Sequence, residues 1–457
     1  MSKTRRGAAV LGGLTGLALV LAACGGDDDG DDTAGTDGDE GAVAEGCEEY
    51  EKYGDLTGTT VTVFTSIVAP EDQPHIDSWA QYMECTGGTV TYEGTKEFEA
   101  QLLVRIQAGT PPDIAYMPQP GLLRTIVTDT EAVVPVAELA EEHVDQYYSE
   151  DWKNFGVVDG TFYASPIGAN VKSFIWYSPS MFEEAGYEIP ETWDDLIALT
   201  DDIVANGGKP WCAGIESGVA TGWPATDWME DIMLREAGPE VYDQWTNHDI
   251  PFNSPEVAST LERVGSILKN DDYVNGGFGD VRSIASTAFQ DGGLPILEGN
   301  CWMHRQASFY QANWPEGTNV AEDGDVFAFY LPPIDPASGK PLLIAGEFAA
   351  AFDDRPEVQA FQAFLASPEW SNAKAEVSGP GWLSANSELD VELLKSPIDQ
   401  LSAELLRDPE TVARFDASDI MPGEVGSGTF WREMTEWIAS DKPDDQVLDA
   451  IEESWPE

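Results

Sequence analysis

Between Thr59 and Met117 the apolar side chains change period four times, from two residues to about 3.6 and back, and this most narrows the folds open to the chain. Thr59-Thr60-Val61-Thr62-Val63-Phe64 alternates as a half-buried strand, after which Pro70 and Pro74 break the run. Ile76, Trp79 and Met83 then recur at i, i+3 and i+7, which predicts a helix ended by Gly87-Gly88. Thr89-Val90-Thr91-Tyr92 is a second strand, and Phe98, Leu102, Leu103 and Ile106 mark a second helix stopped at Gly109. Strand, helix, strand, helix predicts an α/β lobe with a largely parallel sheet. Ile114–Met117 continues it as a short buried strand. The Pro118–Gly121 loop would lie at that strand's carboxyl end, where open α/β sheets bind ligands, so Gln119 is a candidate hydroxyl partner. Asp113 is expected to pin the strand through local backbone bonds.

A second α/β region follows. Asp159-Gly160 is a hairpin-type turn, and Val171–Tyr177 reads as one strand. Thr192 caps a helix with Asp195 three residues on, Leu196, Leu199 and Ile203 form its buried stripe, and Gly207-Gly208 closes it. Trp211, Trp223 and Trp228 then fall within eighteen residues. Trp211 and Trp228 are expected to fill a core. Gly218, Gly222 and Pro224 place Trp223 on a loop, with Asp227 and Trp228 opening a helix through Met233 and Leu234. Flat aromatics beside carboxylates and amides suit a sugar, whose C–H faces stack while its hydroxyls need polar partners.

The amino-terminal segment differs sharply from the body. Lys3, Arg5 and Arg6 precede an apolar run, Ala8–Ala23, that is too short to span a bilayer and has the form of a secretory signal. Its end, Leu21-Ala22-Ala23-Cys24, resembles a bacterial lipobox, which implies cleavage before Cys24 and lipid on that residue. Residues 24–56 are expected to form the lipidated cysteine and an acidic tether. The stretch 25–46 carries nine acids, no base and almost no apolar side chain, too little to offset ordering entropy.

The formal charge is −60. Removal of residues 1–23 takes away three bases and no acid, leaving −63, and without the nine tether acids the body still carries −54. Such a chain is no natural partner for nucleic acid, whose phosphates are bound by Lys and Arg, nor for anionic lipid beyond the anchor itself. Charge of this density repels itself in dilute solution, and salt shortens the range of the repulsion, which fits a salt-rich habitat. The melting midpoint of the body should therefore rise between dilute buffer and molar salt; a flat or falling midpoint would exclude that adaptation. Beyond Cys24, four cysteines make two disulfides, as expected of an exported protein. Three pairings are open, and Cys47 with Cys85 and Cys212 with Cys301 is the pairing favoured, each bridge stabilising by about 2 to 4 kcal/mol.

Several stretches in order resemble the bacterial extracellular solute-binding proteins of the sugar-binding type, the lipid-tethered receptors of ABC importers. They are the strand-loop after Pro112-Asp113-Ile114, Asp159-Gly160 with Ser165-Pro166-Ile167, Trp176-Tyr177-Ser178-Pro179, Pro190–Leu196, Phe289–Gly292 before Cys301-Trp302-Met303, and Asp419–Gly423 with Phe430-Trp431. Pro210-Trp211-Cys212 and Thr221–Trp228 look most like the α-glucoside-binding branch. The resemblance implies a two-lobe, periplasmic-binding-protein-like α/β fold with hinge crossovers near Gly168–Val171, Leu331–Pro336 and Pro380–Asn386, and the ligand between the lobes. Lobe one would be 57–168 with 335–381, and lobe two 169–334 with 382–457.

By the same resemblance, Trp223, Trp302 and Trp431 match an aromatic platform, and Gln119, Asn170 and Glu216 match polar contacts. Ser66, Tyr116, Asp227, Glu347, Phe348 and Trp382 complete the candidate site. Ser66-Ile67-Val68 and Pro118-Gln119-Pro120 lack the charged residues of a maltose receptor, which points away from plain maltodextrin toward another glucoside or a small oligosaccharide. The expected partners are that sugar, the permease subunits of an importer, and the outer face of the cell membrane through the lipid; the receptor is expected to act as a monomer.

A carbohydrate-active enzyme is the rival class, since 83 acids leave room for a pair of carboxyls about 5 to 9.5 Å apart. No motif marks such a pair. There is no Gly-x-Ser-x-Gly elbow, no glycine-rich phosphate loop, and no metal-ligand spacing among His75, His143, His248 and His304. Reversible binding without catalysis, cofactor or metal is the expected activity, and a receptor for a non-sugar solute is the other alternative.

Overall fold

The computed structural model describes residues 46–277 and 279–456. The basic leader, Cys24 and the tether up to residue 45 lie outside them. Among the described residues no helix is long and apolar enough to cross a membrane.

The strand Thr60–Thr65 runs parallel to Thr89–Gly94 on one side and to Ile114–Met117 on the other. Its two-residue period sorts side chains onto opposite faces. Val61 and Val63 pack in a core with Phe361 and Phe364 of the helix Pro356–Leu365, while Phe64 packs with Phe98 of the helix Phe98–Gln107. Each such burial is worth about 1.5 to 3 kcal/mol. Asp113 does pin this arrangement, though through partners distant in sequence rather than local backbone: its carboxylate accepts from the Thr62 amide and hydroxyl and pairs with Arg355. Phe348–Ala351 and Ala164–Pro166 complete the sheet as antiparallel strands.

A second five-stranded sheet contains, in order, Val274–Asn275, Trp211–Cys212, Met303–Arg305, Phe174–Tyr177 and Phe327–Tyr330. Thr192 caps the helix Trp193–Ala205 beside it, accepting from the Asp195 amide. Trp211 and Trp228 fill its core, with ring centroids 5.1 Å apart. The molecule is thus a two-lobe α/β structure.

Between the two sheets lies a third, of three strands: Thr411–Phe415, Lys340–Ala345 and Asn170–Val171. The stretch expected to form one strand, Val171–Tyr177, is split because the chain crosses there. Asn170–Val171 pairs with Lys340–Ala345, whereas Phe174–Tyr177 belongs to the second sheet. The return crossing is longer than expected: the chain leaves the second sheet after Tyr330 and joins the first only at Phe348. A third passage is marked by the bridge between Ala169 and Leu383.

Three local expectations need correction. The helix through Ile76, Trp79 and Met83 is two helices, Gln73–Asp77 and Ala80–Thr86, because Trp79 turns fully into the core at the junction. The tether does not extend to residue 56. Glu48–Tyr53 forms a 3-10 turn, and Tyr50, Tyr53 and Leu56 are buried beneath its acidic exterior. Trp223 is not on a loop but opens the helix Trp223–Glu236. Asp159 and Gly160, at φ 50° and 79°, do form the tight two-residue hairpin turn. Cys47 is bonded to Cys85 and Cys212 to Cys301, with Cα atoms 5.4 and 5.6 Å apart.

Candidate functional site

The crossing segments form the floor of a cleft between the two sheets. Ala169, Asn170 and Lys172 come from the first crossing, Ala345–Glu347 from the second, and Gly381 and Trp382 from the third. The cavity measures about 190 Å³. That is below the roughly 300 to 1,000 Å³ of pockets for drug-sized ligands, so a small solute suits it better than a long polymer.

Each wall is set by local backbone chemistry. Ser66–Val68 follows the first strand at its carboxyl end, and Gln119 stands at the N-cap of the helix Pro120–Asp129. Opposite, Gly222 at φ 114° allows the start of the helix Trp223–Glu236 to lie against the Trp431 backbone, where a side chain would collide with the carbonyl. Trp223 and Trp431 thereby reach the cavity together, joined by Phe289 and Phe309, whose ring centroids lie 4.9 and 6.0 Å from Trp223. Trp431 is held by its indole N–H donating to Ser418 Oγ. At the floor, Gly168 leaves room for the Glu347 carboxylate, and Trp382 stands 5.6 Å from Trp370.

Of the twelve candidates, the cleft gathers Ser66, Gln119, Asn170, Trp223, Glu347, Trp382 and Trp431. Five stand away from its lining. Tyr116 is buried inside the first sheet against His75. Phe348 faces Trp152, Phe155 and Phe415, because the strand's alternation turns it away from Glu347. Trp302 packs on Tyr187 and Phe182 across the second sheet. Glu216 folds back to accept from the Gly218 amide. Asp227 is fully buried, bonded to Lys172 Nζ at 2.9 Å and to Arg305 at 2.9 Å.

Asp227 belongs to an ionic cluster beneath the cleft. Lys172 pairs with Asp227 and Asp416; Arg305 bridges Asp227 and Asp231; Asp231 also pairs with Arg235 and accepts from Ser173. Arg235 donates onward to the carbonyls of Leu331, Pro332 and Pro341, so the cluster fastens two crossing segments to the second sheet's helix. Burial drives Asp227 up to about 6, whereas the Lys172 ammonium holds Asp416 down at about 2 against its own desolvation. Asp227, Glu230 and Asp416 are close enough together to hold a cation. The Lys172 ammonium already occupies two of them, and Glu230 accepts from the amides of Ala417 and Ser418.

The lining also contains titratable groups that sequence reasoning passed over: Glu71, Glu99, Lys172 and Asp419. Burial raises the carboxyls of Glu99 and Glu347, and raises Glu71 to about 7. Behind Trp382, burial lowers Lys374 to about 7; its ammonium lies 5.0 Å over the Trp382 ring and donates to Ser378 Oγ. Five buried oxygen or nitrogen atoms of the lining have no partner among the described residues: His75 Nδ1, Glu99 Oε2, Gln119 Oε1, Asn170 Oδ1 and Trp382 Nε1. Unpaired buried polar atoms are costly, and a polar solute would satisfy them. A cleft with stacking faces on one wall and unmatched acceptors on the other binds a polyhydroxylated molecule well.

Comparison with known proteins agrees with this geometry. The family model for bacterial extracellular solute-binding proteins matches residues 68–372. The chain is 39% identical over 417 residues to the osmoprotective compounds-binding protein GgtB of Synechocystis sp., covering 91% of this chain and 96% of that one. It is 35% identical over 419 residues to the alpha-glucosides-binding periplasmic protein AglE of Rhizobium meliloti, covering 89% of each. Among solved structures, the bacterial solute receptor AcbH superposes with a TM-score of 0.73 at 17% identity, covering 86% of this chain and 98% of that one. The maltose-bound MalE3 of T. maritima has a TM-score of 0.66 at 15% identity, with 86% and 98% covered. Family match, relatives and two-lobe fold agree: this chain belongs to the bacterial extracellular solute-binding proteins.

Proposed function

We propose that the chain is the binding component of a carbohydrate ABC importer and captures a small neutral α-glucoside by closure of its lobes. The observation that carries this reading is the cleft in which Trp223 and Trp431 line one wall, the unpartnered acceptor Gln119 Oε1 the other, and the unpartnered Asn170 Oδ1 the floor. Sugar C–H faces stack on the indoles, and hydroxyls donate to the acceptors. Two relatives whose names speak of α-glucosides and of osmoprotective compounds support it. The charge of −60 adds to it, since an acidic chain suited to salt belongs where a neutral compatible solute is worth importing.

The remaining parts of the proposal rest on the sequence. Cys24 carries lipid and holds the receptor at the outer face of the cell membrane, and a monomer presents the closed lobes to the permease. Lobe one comprises 57–168 with 335–381 and lobe two 169–334 with 382–457. An open pair admits the solute, and the closed pair binds it more tightly, which is how a ligand shifts such an equilibrium. Binding needs no chemistry.

The test is a thermal-shift screen of residues 47–457 in molar KCl against glucose, maltose, trehalose, sucrose, larger glucosides and non-sugar solutes. A true ligand at a hundredfold excess over its dissociation constant adds about 2.7 kcal/mol of stability. One α-glucoside should raise the midpoint, and Trp223→Ala or Trp431→Ala should weaken its binding by about 1 to 3 kcal/mol. A shift with an amino acid or peptide and none with any glucoside would refute the proposal, and steady hydrolysis of an aryl glucoside would favour the enzyme class.

A further inference from the structure

One pair of side chains in the cleft has a geometry that sequence reasoning did not reach. Glu99 lies on the helix Phe98–Gln107, one residue after the buried Phe98 that anchors that helix to the first sheet. Gln119 is the N-cap residue of the helix Pro120–Asp129 and is 4% exposed. The Gln119 amide nitrogen donates to Glu99 Oε1 at 3.0 Å. That single bond fixes both head groups. It leaves Gln119 Oε1 and Glu99 Oε2 buried and without a partner among the described residues, and both residues line the cavity.

We propose that Glu99 and Gln119 act as one two-pronged reader of adjacent hydroxyls on the ligand, and so determine which glucoside is accepted. This rests on the glucoside reading above. An amide and a carboxyl joined head to head present two free oxygens on one wall, and a vicinal diol offers two hydroxyls with fixed spacing. The amide oxygen accepts from one hydroxyl and the carboxyl oxygen meets its neighbour. Water in the open cleft can serve both atoms, but once the lobes close, only the ligand can. A ligand lacking either hydroxyl leaves a buried acceptor bare, so the pair discriminates by penalty as much as by attraction. Asp419, from the opposite half of the molecule, also lines the cavity, and its carboxyl is raised mainly by burial and further by nearby charges, Glu99 among them. The reader therefore sits where the two halves approach each other.

The experiment is calorimetry in molar KCl with methyl α-D-glucopyranoside and its 2-, 3-, 4- and 6-deoxy forms, on the wild type, Glu99→Ala and Glu99→Gln. For the wild type, two deoxy forms at neighbouring positions should lose about 10- to 100-fold in affinity, the range expected when one buried polar group goes unpaired. In Glu99→Ala the parent glucoside should weaken, and at least one of those two positions should no longer matter, its deoxy form binding within about 2-fold of the parent. Glu99→Gln keeps the shape of the pair and should retain part of the discrimination, with an unchanged melting midpoint without ligand showing that the fold is intact. Tight parent binding with the full deoxy pattern preserved in both variants would overturn the assignment of the reader alone. Wild-type protein that binds none of the glucosides would overturn the glucoside reading and this inference with it.

Discussion

Lys172→Met should destabilise the fold by about 3 to 5 kcal/mol at neutral pH, the cost of leaving buried charges without their partner. The ammonium is the only cation among the described residues that bonds Asp416, and it shares Asp227 with Arg305. Methionine matches its length but supplies no charge, so the two carboxylates must take up protons or open the cluster to water. The sign of the pH dependence follows. In the wild type, Asp416 is held at about 2 in the folded state, below the unfolded value near 4. It therefore contributes stability above pH 4, which is lost as pH falls toward 2. In the variant that contribution is gone and both carboxyls rise, so the gap between variant and wild type should be widest near pH 7 to 8 and narrow below pH 5. Urea titrations at pH 5 and pH 8 measure this. Lys172→Met combined with Asp416→Asn should recover part of the loss; equal stability of Lys172→Met and wild type at pH 8 would show that the cluster does not depend on the ammonium.

Gly121→Ala should weaken ligand binding roughly 5- to 150-fold while sparing the stability of the ligand-free protein. Gly121 is the second residue of the helix Pro120–Asp129, and a methyl group there would collide with the carbonyl oxygen of Met421. Beside it the Gly423 amide donates to Thr125 Oγ1 at 3.2 Å, so backbone from the carboxyl-terminal segment lies directly on a helix of the first lobe. Overpacking of this kind costs about 1 to 3 kcal/mol, and each 1.4 kcal/mol is tenfold in affinity. The lobes can relieve the collision by parting, so the penalty falls on the closed state. Calorimetry gives the affinity, and small-angle scattering with ligand should show the variant more extended than the wild type. A variant that binds and compacts normally would mean that this seam does not move.

Much of the first lobe was legible because its strands and helices are long enough to display their own period. The strand Thr60–Thr65 and the helix Phe98–Gln107 each show it within six to ten residues. The second sheet was harder, since Trp211–Cys212 and Val274–Asn275 are two-residue strands that no periodicity can reveal. Val171–Tyr177 read as one strand because every residue is compatible with extended backbone; only pairing partners far along the chain, Ile344 for Val171 and Tyr330 for Phe174, divide it.

The site was legible where a residue type carries its meaning locally. Gln119 follows a buried strand and Trp223 stands beside the helix-breaking Gly222, whereas Trp431 was reached only through the resemblance. Trp302 and Glu216 failed because matching positions by order does not fix which face of a strand or turn a side chain takes. Glu99 and Lys172 were missed for a physical reason: a lone acid among 83, or one lysine between two short strands, carries no signal until a partner distant in sequence removes it from water.

The place of Phe348–Ala351 in the first sheet also governs how the protein is made. That strand lies between Ile114–Met117 and Ala164–Pro166 and pairs with both. The sheet that begins at residue 60 therefore stays open at an inner edge until residue 351 has arrived. Pairings over such sequence separations form slowly, and an unpaired inner edge invites association with other chains. Of the two lobes, the second has all five strands of its sheet within residues 174–330, so it can complete its sheet first and the amino-terminal lobe last. A chain emerging on the far side of a membrane thus finishes its earliest segment late.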